Sequence, residues 1–293
     1  MDIEDLEAVV LAGGLGSRFR EKGGGDKLFA LIEGKPILLR VVESLERGFS
    51  RIIVTTKKDR LEAIKELLGR REKTRVIADE FEERNPLSGM LTGAKEAISD
   101  FIFVVSGDAA FIEPSFPATL IELGGMRDAV LPIWPNGKVE PLISVYSRKA
   151  ILRSSVAIGL KQIRATEPAR ASSSVAFVPI SLLAMMGINP RQLININEPS
   201  DMSAEVKREN LGSPEKVAFI EREKNLYLEA LESLERGELL TASRIFAEEA
   251  LQLSKPRTNS LSLHALLDSL FFLDVSQNLN PSVLERRRTS QPF

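Results

Sequence analysis

The chain has 293 residues, 43% hydrophobic and 27% charged, with a formal net charge of −2, one histidine and no cysteine. That length suits one large domain or two, and the near-neutral balance gives no general attraction to nucleic acid or to an anionic membrane. Without cysteine there are no disulfides, thiolate chemistry or thiolate-bound zinc, which fits a reducing compartment; with His264 alone neither a Ser-His-Asp triad nor a multi-histidine metal centre can be built, so a metal has to be held by oxygen, which favours Mg²⁺.

The opening residues, MDIEDLEAVV, are acidic and lack a cationic leader with an apolar core, so a secretory signal is not expected. No run of about 18 apolar residues occurs, so no transmembrane helix is expected and the cytoplasm is the expected location. Ala8 to Leu11 is an apolar β-type run that breaks into Gly13, Gly14 and Gly16, passes Arg18 and reaches Asp26-Lys27 through three more glycines. A buried strand ending in such a loop is suited to phosphate, because glycine lets backbone N–H groups approach an anion while Arg18 and Lys27 offset its charge.

Lys27 to Ile32 reads as a short strand, Gly34-Lys35-Pro36 as a turn, and Ile37 to Glu46 as a helix with Leu38, Val41, Val42 and Leu45 on one face. Arg51 to Thr55 is a strand, Asp59 to Leu68 an amphipathic helix, and Thr74 to Ala78 a strand that delivers Asp79 at its carboxyl end. This β-α-β-α-β alternation predicts a mostly parallel sheet with helices on both faces and a ligand beyond the carboxyl ends of the strands, where Thr55, Asp79 and the glycine loop fall.

Asn85-Pro86-Leu87-Ser88-Gly89 opens a helix running to about Ile98, with free N–H groups where an anion or a base edge can sit. Phe101 to Ser106 is the most apolar strand and presents Asp108 at the mouth of the cleft, where a carboxylate can ligate Mg²⁺. Strands follow at Asp128 to Ile133, Leu142 to Tyr146, Ser174 to Ile180 and Leu193 to Asn197, the last placing Asn195 and Asn197 on one side. From Ser213 onward the spacing predicts helices only, over Pro214–Arg236, Leu239–Ser254 and Ser260–Leu273. Ala230, Ala242, Phe246, Ala250 and Leu253 match half of a tetratricopeptide-type hairpin, short of a repeat array. The last helix, apolar on most sides, has to pack against the preceding α/β part or another subunit; His264 there is expected to be a packing or surface residue, and the tail from about Gln277 to be disordered.

The glycine loop is not a P-loop, since no Lys-Ser or Lys-Thr follows at the right spacing, and Phe19 stands where a dinucleotide fingerprint needs its last glycine. Its pattern is L-A-G-G-x-x-x-R (Leu11 to Arg18), then Asp26-Lys27, then Gly34-Lys35-Pro36-Ile37, and later Asn195-Ile196-Asn197-Glu198-Pro199-Ser200-Asp201. Over about residues 7 to 209 this resembles the nucleotidyltransferases with a GT-A-like fold, most closely the molybdenum cofactor guanylyltransferases. The resemblance implies an α/β, Rossmann-like (GT-A-type) domain with a mostly parallel three-layer sheet over residues 1–210. A small all-α domain over 211–276 and a tail over 277–293 then depart from the one-domain pattern.

The resemblance also implies an Mg-dependent enzyme that transfers GMP from GTP to the phosphate of molybdopterin, releasing pyrophosphate. Its catalytic set would be Arg18, Lys27 and Asp108, with Asp108 holding Mg²⁺. The nucleotide would meet Leu11, Ala12, Gly13, Gly14, Lys27, Thr55, Asp79, Ser88, Gly89 and Asp108, and the acceptor would meet Asn195 and Asn197. Trp134, Lys138, Arg164 and Arg170 would lie near the pterin or its phosphate. Gly14 favours GTP, because the related cytidylyltransferases read L-A-A-G and a missing methyl leaves room for a purine. The family's usual proline is Ala110 in this chain. Two alternatives stay open: another phosphorylated acceptor such as adenosylcobinamide phosphate, or a non-catalytic nucleotide-binding domain that recruits a partner, or a second copy, through its C-terminal helices.

Overall fold

The computed structural model describes residues 5–14, 16–23, 25–206, 211–212, 215–254 and 258–278. In chain order they form β1 (Glu7–Leu11), α1 (Ser17–Glu21), β2 (Leu31–Ile32), β3 (Lys35–Pro36), α2 (Ile37–Leu45), β4 (Arg51–Thr56), α3 (Leu61–Leu68), β5 (Thr74–Ala78), α4 (Pro86–Glu96), β6 (Phe101–Ser106) and α5 (Ser115–Gly124). Then come β7 (Ala129–Ile133), β8 (Ile143–Ser147), α6 (Arg148–Arg153), α7 (Val156–Gly159), α8 (Glu167–Arg170), β9 (Ser174–Pro179), α9 (Ile180–Met185), β10 (Ala218–Glu221), α10 (Leu226–Glu235), α11 (Leu239–Ser254) and α12 (Asn259–Asn278).

An eight-stranded sheet in the order β10-β9-β7-β8-β6-β1-β4-β5 forms the middle layer. Six strands point one way, while β8 and β10 run against their neighbours. Side chains alternate across it: Ala8 and Val10 enter one core with residues of α2, α3 and α5, and Val9 enters the other with residues of α4. Helix α4 lies so close to β1 that a Cβ on Gly93 would stand 2.4 Å from Val9 Cγ1. This is a three-layer α/β fold with β1, β4 and β6 side by side at its centre, so the loops after them share one rim.

Two expected elements differ. Of Lys27–Ile32 only Leu31–Ile32 is strand; Lys27 to Phe29 are a turn, because the Asp26 carbonyl accepts from Phe29 N and Ala30 N while its carboxylate accepts from Leu28 N. At 193–197 there is no strand: Asn189 caps a 3₁₀ turn (Pro190–Leu193), and Ile196 N donates instead to the Asp108 carbonyl at 3.1 Å. The segment after Asn197 forms a short 3₁₀ turn, Pro199–Ser203, closed by Glu198 and Asp201.

In the C-terminal part, the helix expected over Pro214–Arg236 is helical only in α10, while Ala218–Glu221 is strand β10, paired antiparallel with β9. Ile220 is buried there between exposed Phe219 and Glu221, a period-two pattern, and Asn225 caps α10 by accepting from Leu228 N. Tyr227, Phe246, Leu253, Leu261 and Ala265 share one core with Val9, Ile102 and Phe177 of the sheet. α12 runs through Gln277 to Asn278; the rest of the expected tail lies outside the described residues. Among the described residues, no helix is long and apolar enough to cross a membrane.

Candidate active site

Beyond the carboxyl ends of β1, β4, β5 and β6 lies a cavity of about 310 Å³, within the range usual for small-ligand sites. Leu11, Gly13 and Gly14 from the glycine loop line it, together with Lys27, Thr55, Asp79, Gly89, Asp108, Asn195 and Asn197. Lys27 and Asp108 are 81 residues apart in sequence, yet the Lys27 ammonium donates to Asp108 Oδ2. Ser106 donates its hydroxyl to Asp108 Oδ1, so both carboxylate oxygens are held at the end of β6.

Each of these positions has a local cause. Gly16 caps α1 at φ +60, in the left-handed region, where a Cβ would also press Lys27 Cγ at 3.1 Å. The Asn-Ile-Asn segment alternates, so Ile196 is buried with Phe19, Ile32, Ile37 and Ala110 while Asn195 and Asn197 reach the cavity. Ala110 therefore belongs to the small apolar cluster that seats this segment. Arg18 is exposed on α1 and lines an adjoining hollow with Gly16, Lys27 and Asn197. Ala12 and Ser88 are buried behind the wall: the Ala12 carbonyl accepts from Thr56 Oγ1, and Ser88 N donates to Asn85 Oδ1.

The wall is polar and partly unpaired. Thr55 Oγ1, Asn85 Nδ2 and Asn195 Oδ1 are buried in it without a hydrogen-bond partner among the described residues, and so is Ser88 Oγ behind it. Such atoms cost about 1–3 kcal/mol each unless a ligand completes them. The Asp79 carboxylate is already engaged by Lys57 Nζ at 2.8 Å, Thr92 Oγ1 at 2.9 Å and Phe81 N at 3.1 Å. Lys57 and Arg84 also line the cavity, although the motifs do not mark them. The signal is in the sequence: Lys57-Lys58-Asp59-Arg60 follows the carboxyl end of a parallel strand, where ligand-binding loops gather.

Four residues expected near the acceptor lie elsewhere. Trp134 Nε1 and Lys138 Nζ both donate to Glu140, at 2.7 and 2.9 Å, and Trp134 borders a separate hollow. Arg170 is fully buried: it grips Glu249 through Nε at 2.9 Å and Nη2 at 2.6 Å, donates to Asp268 at 2.8 Å and Glu167 at 3.2 Å, and stacks 4.3 Å from the Tyr227 ring. Arg164 donates twice to Asp268 at 3.0 Å. Burial opposes the charge of Arg170, but Glu249 and Glu167 outweigh it and hold its pKa well above the usual range. His264 bonds Thr166 at 3.1 Å, and burial first, then Arg164 and Arg170, lower its pKa to about 4. These arginines fasten the C-terminal helices to α8.

The family description "MobA-like NTP transferase domain" matches residues 8–171. The chain belongs to the MobA-like NTP transferase family. A Methanosarcina acetivorans protein named probable molybdenum cofactor guanylyltransferase is 34% identical over 204 residues, 67% of this chain and 88% of that protein. A Thermococcus sibiricus protein of the same name is 32% identical over 207 residues, covering 66% and 94%. The solved molybdopterin-guanine dinucleotide biosynthesis protein A from Archaeoglobus fulgidus shares the fold, with a TM-score of 0.55 at 22% identity over 67% of this chain and 95% of that one. This member of the family carries β10 and α10–α12 after the residues of the family match.

Proposed function

We propose that the chain transfers GMP from GTP to the terminal phosphate of molybdopterin bearing molybdenum, with release of pyrophosphate. The observation that carries this reading is the meeting of Lys27 and Asp108 in one cavity whose other walls are the glycine loop and the Asn-Ile-Asn segment. The names of the relatives support the choice of guanine and pterin. A phosphate oxygen of the acceptor attacks the α-phosphorus of GTP; the bond to the bridging oxygen breaks, and pyrophosphate leaves with the electron pair. That oxygen is already anionic at neutral pH and needs no general base, which suits a cavity without histidine or cysteine. The chain's own part is to align the groups and to face the growing charge with fixed amides and cations.

In this reading Gly13 and Gly14 present backbone to the nucleotide, with Leu11 in the wall and Ala12 behind it, and Lys27 and Arg18 offset phosphate charge. Thr55, Asp79, Ser88 and Gly89 shape the base and ribose side, Asn195 and Asn197 the acceptor edge. Asp79 acts through its hold on Lys57 as well as by contact. The donor set fits Mg²⁺: Asp108 offers one carboxylate beside the site of the triphosphate, and Mg²⁺ is usually held by one or two carboxylates plus substrate phosphates. Among the described residues no group of three His, Cys, Asp or Glu gathers as a protein-only metal cage. When bound, the ion would neutralise phosphate charge.

Pyrophosphate release tests the reading directly, with the full chain, Mg²⁺, GTP or CTP, and either molybdopterin or adenosylcobinamide phosphate as acceptor. Release with GTP and the pterin alone is the expected result. GTP binding without release from any acceptor would favour the recruiting role over catalysis.

A further inference from the structure

Arg60 is charged yet only 8% exposed, and its side-chain partners lie in the glycine loop and in the turn that presents Lys27. Nη1 donates to the carbonyls of Ala12 at 3.3 Å and Gly14 at 2.6 Å, and Nη2 donates to the Asp26 carboxylate. Arg84, held by Asp59 at 2.6 Å, donates to the Gly13 carbonyl at 3.3 Å. Three successive carbonyls of the glycine loop are thus each gripped by a guanidinium.

In a planar trans peptide the N–H points away from the preceding C=O. Fixing the carbonyls of Ala12 and Gly13 therefore turns the amides of Gly13 and Gly14 to the opposite side, and successive amides turned one way form an anion-binding concavity. Asp26 completes the link, because its other oxygen accepts from Leu28 N at 3.1 Å and shapes the turn that presents Lys27. One guanidinium thus ties the glycine loop to the lysine that faces it. A guanidinium suits this task better than an ammonium, since its rigid fork holds two carbonyls and a carboxylate together.

We propose that Arg60 is a positioning residue for the triphosphate: it sets the peptide planes of the glycine loop and their register with Lys27, without touching the reacting atoms. The inference deepens the nucleotidyltransferase reading and rests on it. The test compares Arg60→Gln, Arg60→Lys and Asp26→Asn in the full chain by calorimetric GTP affinity, KM for GTP, KM for the acceptor and melting temperature.

Charge-assisted hydrogen bonds of this kind convert to an expected loss of about ten- to a hundredfold in GTP affinity for Arg60→Gln. Arg60→Lys and Asp26→Asn should lose less, with the acceptor KM within about twofold of wild type and the fold retained. Methylguanidinium added to Arg60→Ala should recover part of the GTP affinity. GTP affinity within twofold of wild type in Arg60→Gln and Asp26→Asn would overturn the proposal. So would equal losses for both substrates that follow a fall in melting temperature. A wild-type chain that binds no GTP would instead reject the underlying functional reading.

Discussion

Two groups of charged side chains in this molecule look alike on paper and behave differently in place. In the cleft, the Lys27 and Asp108 side chains retain 14% and 5% exposure and line a cavity. At the junction of α8 with α11 and α12, the Arg170, Glu167 and Asp268 side chains are fully buried and Glu249 keeps 1%, and none of the four lines the cleft cavity. The first group keeps its charges next to room for a ligand; the second spends them on one another. The lesson is that a buried arginine among carboxylates reports packing unless a cavity adjoins it.

The sharpest way to break that contrast is to remove one partner from each group. Lys27→Ala and Asp108→Ala should each lower turnover by about 10²–10³ or more while the chain stays folded. Pyrophosphate release and a thermal melt check both parts, and wild-type turnover in either variant would reject the assignment. Arg170→Ala should do the reverse by leaving Glu249, Glu167 and Asp268 buried and uncompensated. A loss of about 3–5 kcal/mol in denaturant unfolding is expected. A variant as stable as wild type would remove the distinction between the two groups.

A smaller effect concerns pH. His264 has its pKa lowered in the folded chain to about 4 from 6.5, so the unfolded chain binds the extra proton first as the pH falls. The stability tied to the neutral imidazole is complete above 6.5 and is lost as the pH drops from 6.5 through about 4. The loss reaches at most about 3 kcal/mol. Unfolding of wild type and His264→Gln over that range should show the component in wild type alone; matching curves would place His264 outside the buried cluster. The smallest effect is expected for Lys138→Ala. Lys138 answers Glu140 away from the cavity, so the acceptor KM should stay within about twofold. A tenfold rise would return Lys138 to the acceptor site.

Most of the α/β unit is legible in the sequence because its signals are local. Apolar runs such as Phe101 to Ser106 and the helical spacing of Leu38, Val41, Val42 and Leu45 need no distant partner to be read. Glycines before Arg18 and Lys27, and an aspartate straight after a buried strand, mark the cleft in the same way. The C-terminal part is less legible. β10 is short, with a single buried side chain, Ile220, and its strand character comes from pairing with β9. Arg164 and Arg170 read as free cations because, apart from Glu167 three residues away from each, their carboxylate partners Glu249 and Asp268 lie about 80 to 100 residues later.

By itself the sequence determined the order of the central strands and helices, the loop that faces an anion, and the residue types available for chemistry, since these follow from local periodicity and composition. Only the tertiary structure decided that Lys27 meets Asp108, that Arg60 grips the glycine loop and that Arg170 serves packing rather than an acceptor. Each of those outcomes depends on which charge finds which partner across the fold, and the low dielectric of the interior makes that pairing matter.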